Sequence, residues 1–212
     1  IYNCKSVNPS PSLNSFSEKE TQMILEADTL APMRVYKITN KSDSLLLRQK
    51  STYIKPDPNN PVLKKFIKRL YRTVTDSMSL GAGIAAPQVG ILKNIVWVQR
   101  FDKENFPFEV FLNPVIVQYS EKKQTNKEGC LSIPNRRETL SNRAYAVLIE
   151  YDTENGVHKT EMVEGKLKTN MNNTFVVRCD MVIKATGQAK QGHLYDMIVG
   201  PCPYIVRCRE LY

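Results

Sequence analysis

The feature that most restricts this chain is a helical stretch that runs straight into a glycine-bearing loop. At 61–78 the apolar residues Val62, Leu63, Phe66, Ile67, Leu70, Tyr71, Val74 and Met78 recur at intervals of three and four, the spacing of an amphipathic helix that buries one face. Asn60 can cap this helix and Pro61 suits its first turn. The loop that follows reads GAGIAAPQVG at 81–90. Gly81 and Gly83 permit close approaches that side chains would block, which leaves main-chain groups able to pair with an extended peptide.

Residues 95–99 and 108–111 are rich in aromatic and branched side chains and are expected as strands. Residues 144–151 and 157–163 flank Glu154, Asn155 and Gly156, and Asn-Gly is the favoured type I′ hairpin turn. Helices set against largely antiparallel strands indicate an α+β fold. Residues 1–16, rich in Ser, Asn and Pro, read as a flexible lead-in. Ser17 and Glu20 then form a capping box for a short helix at about 18–28. Three parts are therefore expected: an N-terminal extension at 1–42, a core at 43–165 and a divergent segment at 166–212. That last segment offers one strand, at 175–178, and no long capped helix.

With 212 residues, 42% of them hydrophobic, the chain can bury one sizeable core. No run reaches the 18 or more apolar residues that a membrane helix needs. Thirty Lys and Arg against 21 Asp and Glu give a net charge of +9, which favours encounters with anionic partners such as ribosomal RNA. Lys64, Lys65, Lys68, Arg69 and Arg72 fall on the polar side of one helix and are expected to form a solvated face. Five cysteines, an odd number, make no disulfide framework and suit a reducing compartment. A first residue of Ile rather than Met fits either an ordinary boundary or an exported precursor whose leader has gone.

A second segment, EGCLSIP at 128–134, places Cys130 forty-two positions after Gln88. On GAGIAAPQVG and EGCLSIP together, about 43–165 resembles the peptide deformylases, metal-dependent hydrolases that remove the formyl group from the N-terminal methionine of new polypeptides. SLLLRQKS at 44–51 is similar to that family's early strand, and NPVI at 113–116 to its strand before the cysteine loop. The resemblance implies a peptide deformylase-like α+β fold, a cytoplasmic protein and formyl-methionyl peptides as substrates, with the ribosome as a further partner. It implies that Cys130 is a thiolate metal ligand for Fe(II) or Zn(II), whose softness suits such ions. It makes Gln88 and the backbone N–H of Leu131 the donors to the formyl oxygen, a role worth about 3–4 kcal/mol in comparable oxyanion sites. Gly81, Gly83, Ile84, Gly129 and Arg137 would contact substrate, with Ile84 lining the methionine pocket and Arg136 left to solvent.

The family's third signature, H-E-x-x-H, works because positions i and i+4 share a helix face, so two imidazoles reach one metal while the Glu takes a proton from its water. The nearest counterpart here is HLYDM at 193–197: His193 stands first, Leu194 replaces the base and Met197 the second imidazole. Cys130 and His193 supply two ligands, with Asp196 as a substitute carboxylate, whereas a catalytic site of this kind keeps three. His158, the other histidine, is expected on the surface of a hairpin. Three readings follow: a deformylase impaired by the altered signature, a binding module for N-terminal methionyl peptides that holds no metal, or the product of a rearranged or frame-changed gene.

Overall fold

A computed structural model describes residues 15–78 and 81–164. The segment at 166–212, with His193 and Asp196, and most of the lead-in at 1–16 lie outside the described residues. Three helices, α1 (Glu18–Leu25), α2 (Lys41–Leu47) and α3 (Pro61–Val74), precede β1 (Gly83–Ala85) and β2 (Ile95–Gln99). Five further strands follow: β3 (Phe108–Tyr119), β4 (Lys123–Cys130), β5 (Ile133–Ala144), β6 (Ala146–Asp152) and β7 (His158–Glu164). The strands form an antiparallel sheet in the order β1-β2-β3-β6-β7 and a separate β4-β5 hairpin. This is an α+β fold.

The capping box at Ser17 forms as expected, with Glu20 N–H donating to Ser17 Oγ at 3.2 Å and Ser17 N–H to the Glu20 carboxylate at 2.8 Å. The helix stops at Leu25, short of residue 28. In α3 the Asn60 side chain accepts from the N–H groups of Val62 and Leu63, and the helix ends at Val74, with Thr75 as C-cap. Leu63, Phe66, Ile67, Leu70 and Val74 bury one face of α3 against Ile24, Met33, Ile84, Ile95 and Leu112. Each such side chain, fully enclosed, contributes roughly 1.5–3 kcal/mol.

The cationic side of α3 departs from a solvated face. Arg69 is only 2% exposed and donates to the carbonyls of Met23, Ile24 and Ala31. Arg72 donates to Leu30 O at 3.1 Å, and Lys65 Nζ lies 3.4 Å from Leu25 O. A helix leaves its last carbonyls without partners and carries partial negative charge there. The α3 cations satisfy that end of α1 and the chain just beyond it, while Lys64 and Lys68 stay exposed.

Four further features differ from the sequence reading. SLLLRQKS, expected as a strand, begins inside α2, because Asn40 Oδ1 accepts from the N–H groups of Ser42 and Asp43 and starts a helix there. Strand β3 joins 108–111 and NPVI at 113–116 into one run to Tyr119, with Asn113 at a left-handed φ of 52° and a register shift between Leu112 and Val115. Its side-chain amide pairs with both the N–H and C=O of Ile54 and donates to Asp152 at 2.9 Å. The Asn155-Gly156 turn is not type I′, since only Gly156 has positive φ, at 79°. Gly156 N–H returns to Thr153 O and Thr153 N–H to Val157 O, the pattern of a type I turn closed by a left-handed glycine. Strands β4 and β5 carry mostly polar residues and had no hydrophobic alternation to announce them.

Replacing Arg69 by Met is expected to lower unfolding free energy by about 2–3 kcal/mol, because buried carbonyls lose charged donors. Lys68→Met on the exposed side should change it by less than about 0.5 kcal/mol; urea denaturation of both variants measures the contrast.

Candidate active site

Gln88 sits in a short 3₁₀ turn, Ala86–Val89, opened by Pro87 and closed by left-handed Gly90. It is 5% exposed, and its side-chain oxygen accepts the N–H of Ala85 at 2.9 Å. A main-chain N–H on that oxygen fixes which way the amide faces. Nε2 therefore points across the site, 3.2 Å from Ser132 Oγ and 3.5 Å from Cys130 Sγ. Glycine is required at position 90, where φ is +84° and a Cβ would stand 2.7 Å from the Tyr36 ring.

Cys130 ends β4, and Leu131 with Ser132 makes the two-residue turn into β5. The Cys130 thiol is in no disulfide among the described residues; half-buried, it packs with Leu47 and Ile133. The Leu131 N–H makes no hydrogen bond among the described residues. Gly129 pairs with Arg137 in the ladder, while Cys130 pairs with Ile133. The residues between, 134–136, bulge outward around Asn135 at φ 60°. Arg136 and Arg137 are both exposed there, Arg136 paired with Glu138. Behind the turn, Glu128 and Arg143 form a bidentate buried ion pair.

The two loops touch. A Cβ on Gly81 would lie 3.3 Å from Leu131 Cδ1 and 3.5 Å from Val74 Cγ2, so a small residue lets the loop lie against the turn. Gly83 pairs with Val98, and Ile84, at 0% exposure, lies wholly within the α3 core. The chain at 36–38 joins them from the other side: Tyr36 N–H donates to Gln88 O at 2.7 Å and Ile38 N–H to Ser132 O at 3.0 Å. Asp43 holds that segment, taking two 2.8 Å bonds from Arg34 and one of 2.9 Å from Lys37 N–H. The sequence pattern did not reveal this strap; an Asp three residues after a helix-capping Asn is its nearest signal.

Among the described residues no group of three His, Cys, Asp or Glu side chains could hold a metal ion. Glu128, closest to Cys130 in sequence, is engaged by Arg143. His158 is 63% exposed on β7 and bonds to Asp152, on the other sheet from Cys130. The described donor set therefore does not fit a complete metal centre, and His193 and Asp196 lie outside it.

Residues 35–172 match the family model described as Polypeptide deformylase, and the chain belongs to the peptide deformylase family. It is 34% identical over 120 residues to the peptide deformylase of Finegoldia magna, covering 57% of this chain and 68% of that relative. To that of Leptospira biflexa it is 32% identical over 145 residues, covering 64% and 76%. Among solved structures it is similar to the class I type b peptide deformylase of Acinetobacter baumannii, with a TM-score of 0.55, 27% identity and coverage of 64% and 85%. No helix among the described residues is long and apolar enough to cross a membrane.

The hydrogen bonds of Arg34 hold the Asp43 carboxyl below the usual carboxylate range. A depressed value stabilises the folded state above about pH 4, the unfolded carboxylate range, and the gain is lost as acid protonates the folded form. Asp43→Asn should thus be less stable than the parent near pH 7 and approach it toward about pH 3. Thermal melts across that interval check the convergence.

Proposed function

We propose that this chain receives the formyl-methionyl end of new polypeptides beside Gln88 and Leu131 and hydrolyses it far more slowly than a complete peptide deformylase. The observation that carries this reading is the Gln88 amide, held so that Nε2 faces Cys130. Together with the Leu131 N–H it offers two donors to a carbonyl oxygen that gains charge, and one such donor contributes about 2.7–4 kcal/mol to a transition state. Strand β1 ends the five-stranded sheet, where an extended peptide can add alongside. The Acinetobacter baumannii relative has been solved with Met-Ala-Ser bound, and that of Synechococcus elongatus in complex with actinonin. Gly129 and Arg137, opposed across the β4-β5 ladder, are the residues this reading assigns to the next peptide residues.

Slow turnover is supported by the sequence, where the nearest counterpart of H-E-x-x-H, HLYDM at 193–197, carries Leu194 in place of the Glu and Met197 in place of the second His. Loss of a general base costs about 10²–10⁴ in rate. His193 and Asp196 are the candidates the sequence offers to join Cys130 in holding Fe(II) or Zn(II), ions that would supply a water of lowered pKa. The net charge of +9 supports a ribosomal partner, although Arg69, Arg100 and Arg143 are interior.

The test pairs formate release from formyl-Met-Ala-Ser, with Fe(II), Ni(II) or Zn(II) added, with calorimetry of the same peptide. Micromolar binding is expected, with turnover about 10²–10⁴ below a complete relative and a further drop of about 10²-fold in Gln88→Ala. Binding with no turnover under any metal would assign the chain to the peptide-binding modules. Neither binding nor turnover would sink both readings.

A further inference from the structure

We propose that Ser132 is a positioning residue: its hydroxyl holds the Gln88 amide in the plane from which Nε2 can meet a carbonyl oxygen. The inference rests on Gln88 as a donor to substrate, and it explains how that donor is kept ready. A glutamine amide has two N–H bonds to place and a terminal torsion that turns easily. Ala85 N–H fixes the oxygen end at 2.9 Å, but one contact leaves the plane free to rock. The second contact is Nε2 to Ser132 Oγ at 3.2 Å. Ser132 can serve as a fixed point because it is 0% exposed, occupies a two-residue turn and is tied through its own carbonyl to Ile38 N–H at 3.0 Å.

The remaining Nε2 hydrogen faces Cys130 Sγ at 3.5 Å, and sulfur is a weak acceptor. An incoming carbonyl oxygen can take over that hydrogen at little cost, while the Ser132 bond persists and keeps the amide aimed. Ser132 itself need not touch substrate.

The experiment compares the full chain with Ser132→Ala, Ser132→Thr and Ser132→Cys. Calorimetry gives the ratio of affinities for formyl-Met-Ala-Ser and Met-Ala-Ser, and ¹⁵N NMR follows the Gln88 side-chain amide and the Ala85 N–H. Ser132→Ala is expected to cut the formyl preference about tenfold, the size of one hydrogen bond, with Met-Ala-Ser affinity unchanged. Ser132→Thr should restore it within about twofold; Ser132→Cys, which keeps the volume if the threonine methyl does not fit, should fall between. The Gln88 amide resonances should shift and become mobile in Ser132→Ala, and Ala85 N–H should exchange faster.

An unchanged preference and unchanged amide resonances in Ser132→Ala would overturn the proposal. Equal loss for both peptides with an ordered amide would do the same, marking Ser132 as structural only. If the parent shows no formyl preference, the substrate reading fails on its own. Ser132 is then judged by NMR alone: a loosened Gln88 amide in Ser132→Ala supports its positioning role, and an unaltered one removes it.

Discussion

Two main-chain hydrogen bonds bring this site together. Tyr36 and Ile38 lie two apart on the segment that leads into α2; the N–H of one reaches Gln88 O and that of the other Ser132 O. Gln88 belongs to the turn that follows β1, and Ser132 to the tip of a hairpin in a different sheet. Neither sheet alone defines the distance between the Gln88 amide and the Cys130 thiol. That distance is set by a length of backbone that is itself gripped by Asp43 and stacked under Arg34, whose guanidinium sits 4.1 Å from the centre of the Tyr36 ring.

The parts of the fold that were legible in sequence are those whose hydrophobic pattern repeats at short range. Helix α3 and strand β2 show their buried faces directly, and the Ser17 and Asn60 caps show themselves by residue type. Pairings that join distant polar residues were not legible. Arg69 looks like any surface arginine on α3 until α1 arrives with unpaired carbonyls, and Glu128 and Arg143 acquire meaning only once the hairpin sets them side by side. Of the site, Gln88 and Cys130 were visible as motif letters and are brought within hydrogen-bonding distance. Ser132, equally a motif letter, carried no sign of its contact with Gln88.

The carboxylates within the described core are already engaged. Arg100, fully buried, gathers Asp102, Glu109 and Glu161, with Lys103 closing the group from outside. Arg143 takes Glu128, and Arg34 takes Asp43. Buried ion pairs of this kind are costly to break one partner at a time, so these groups serve architecture. None of these described carboxylates is left unengaged beside Cys130.

The hairpin formed by β4 and β5 is fastened at both extremities. At its tip the Ser132 carbonyl is held by Ile38; at its root Ser120 and Lys122 exchange bonds with Ala146 and Tyr145. Between these anchors it behaves as a beam supported at each end rather than a lever hinged at one. Change at exposed positions between the anchors, such as Lys127 and Thr139, leaves both fastened ends in place.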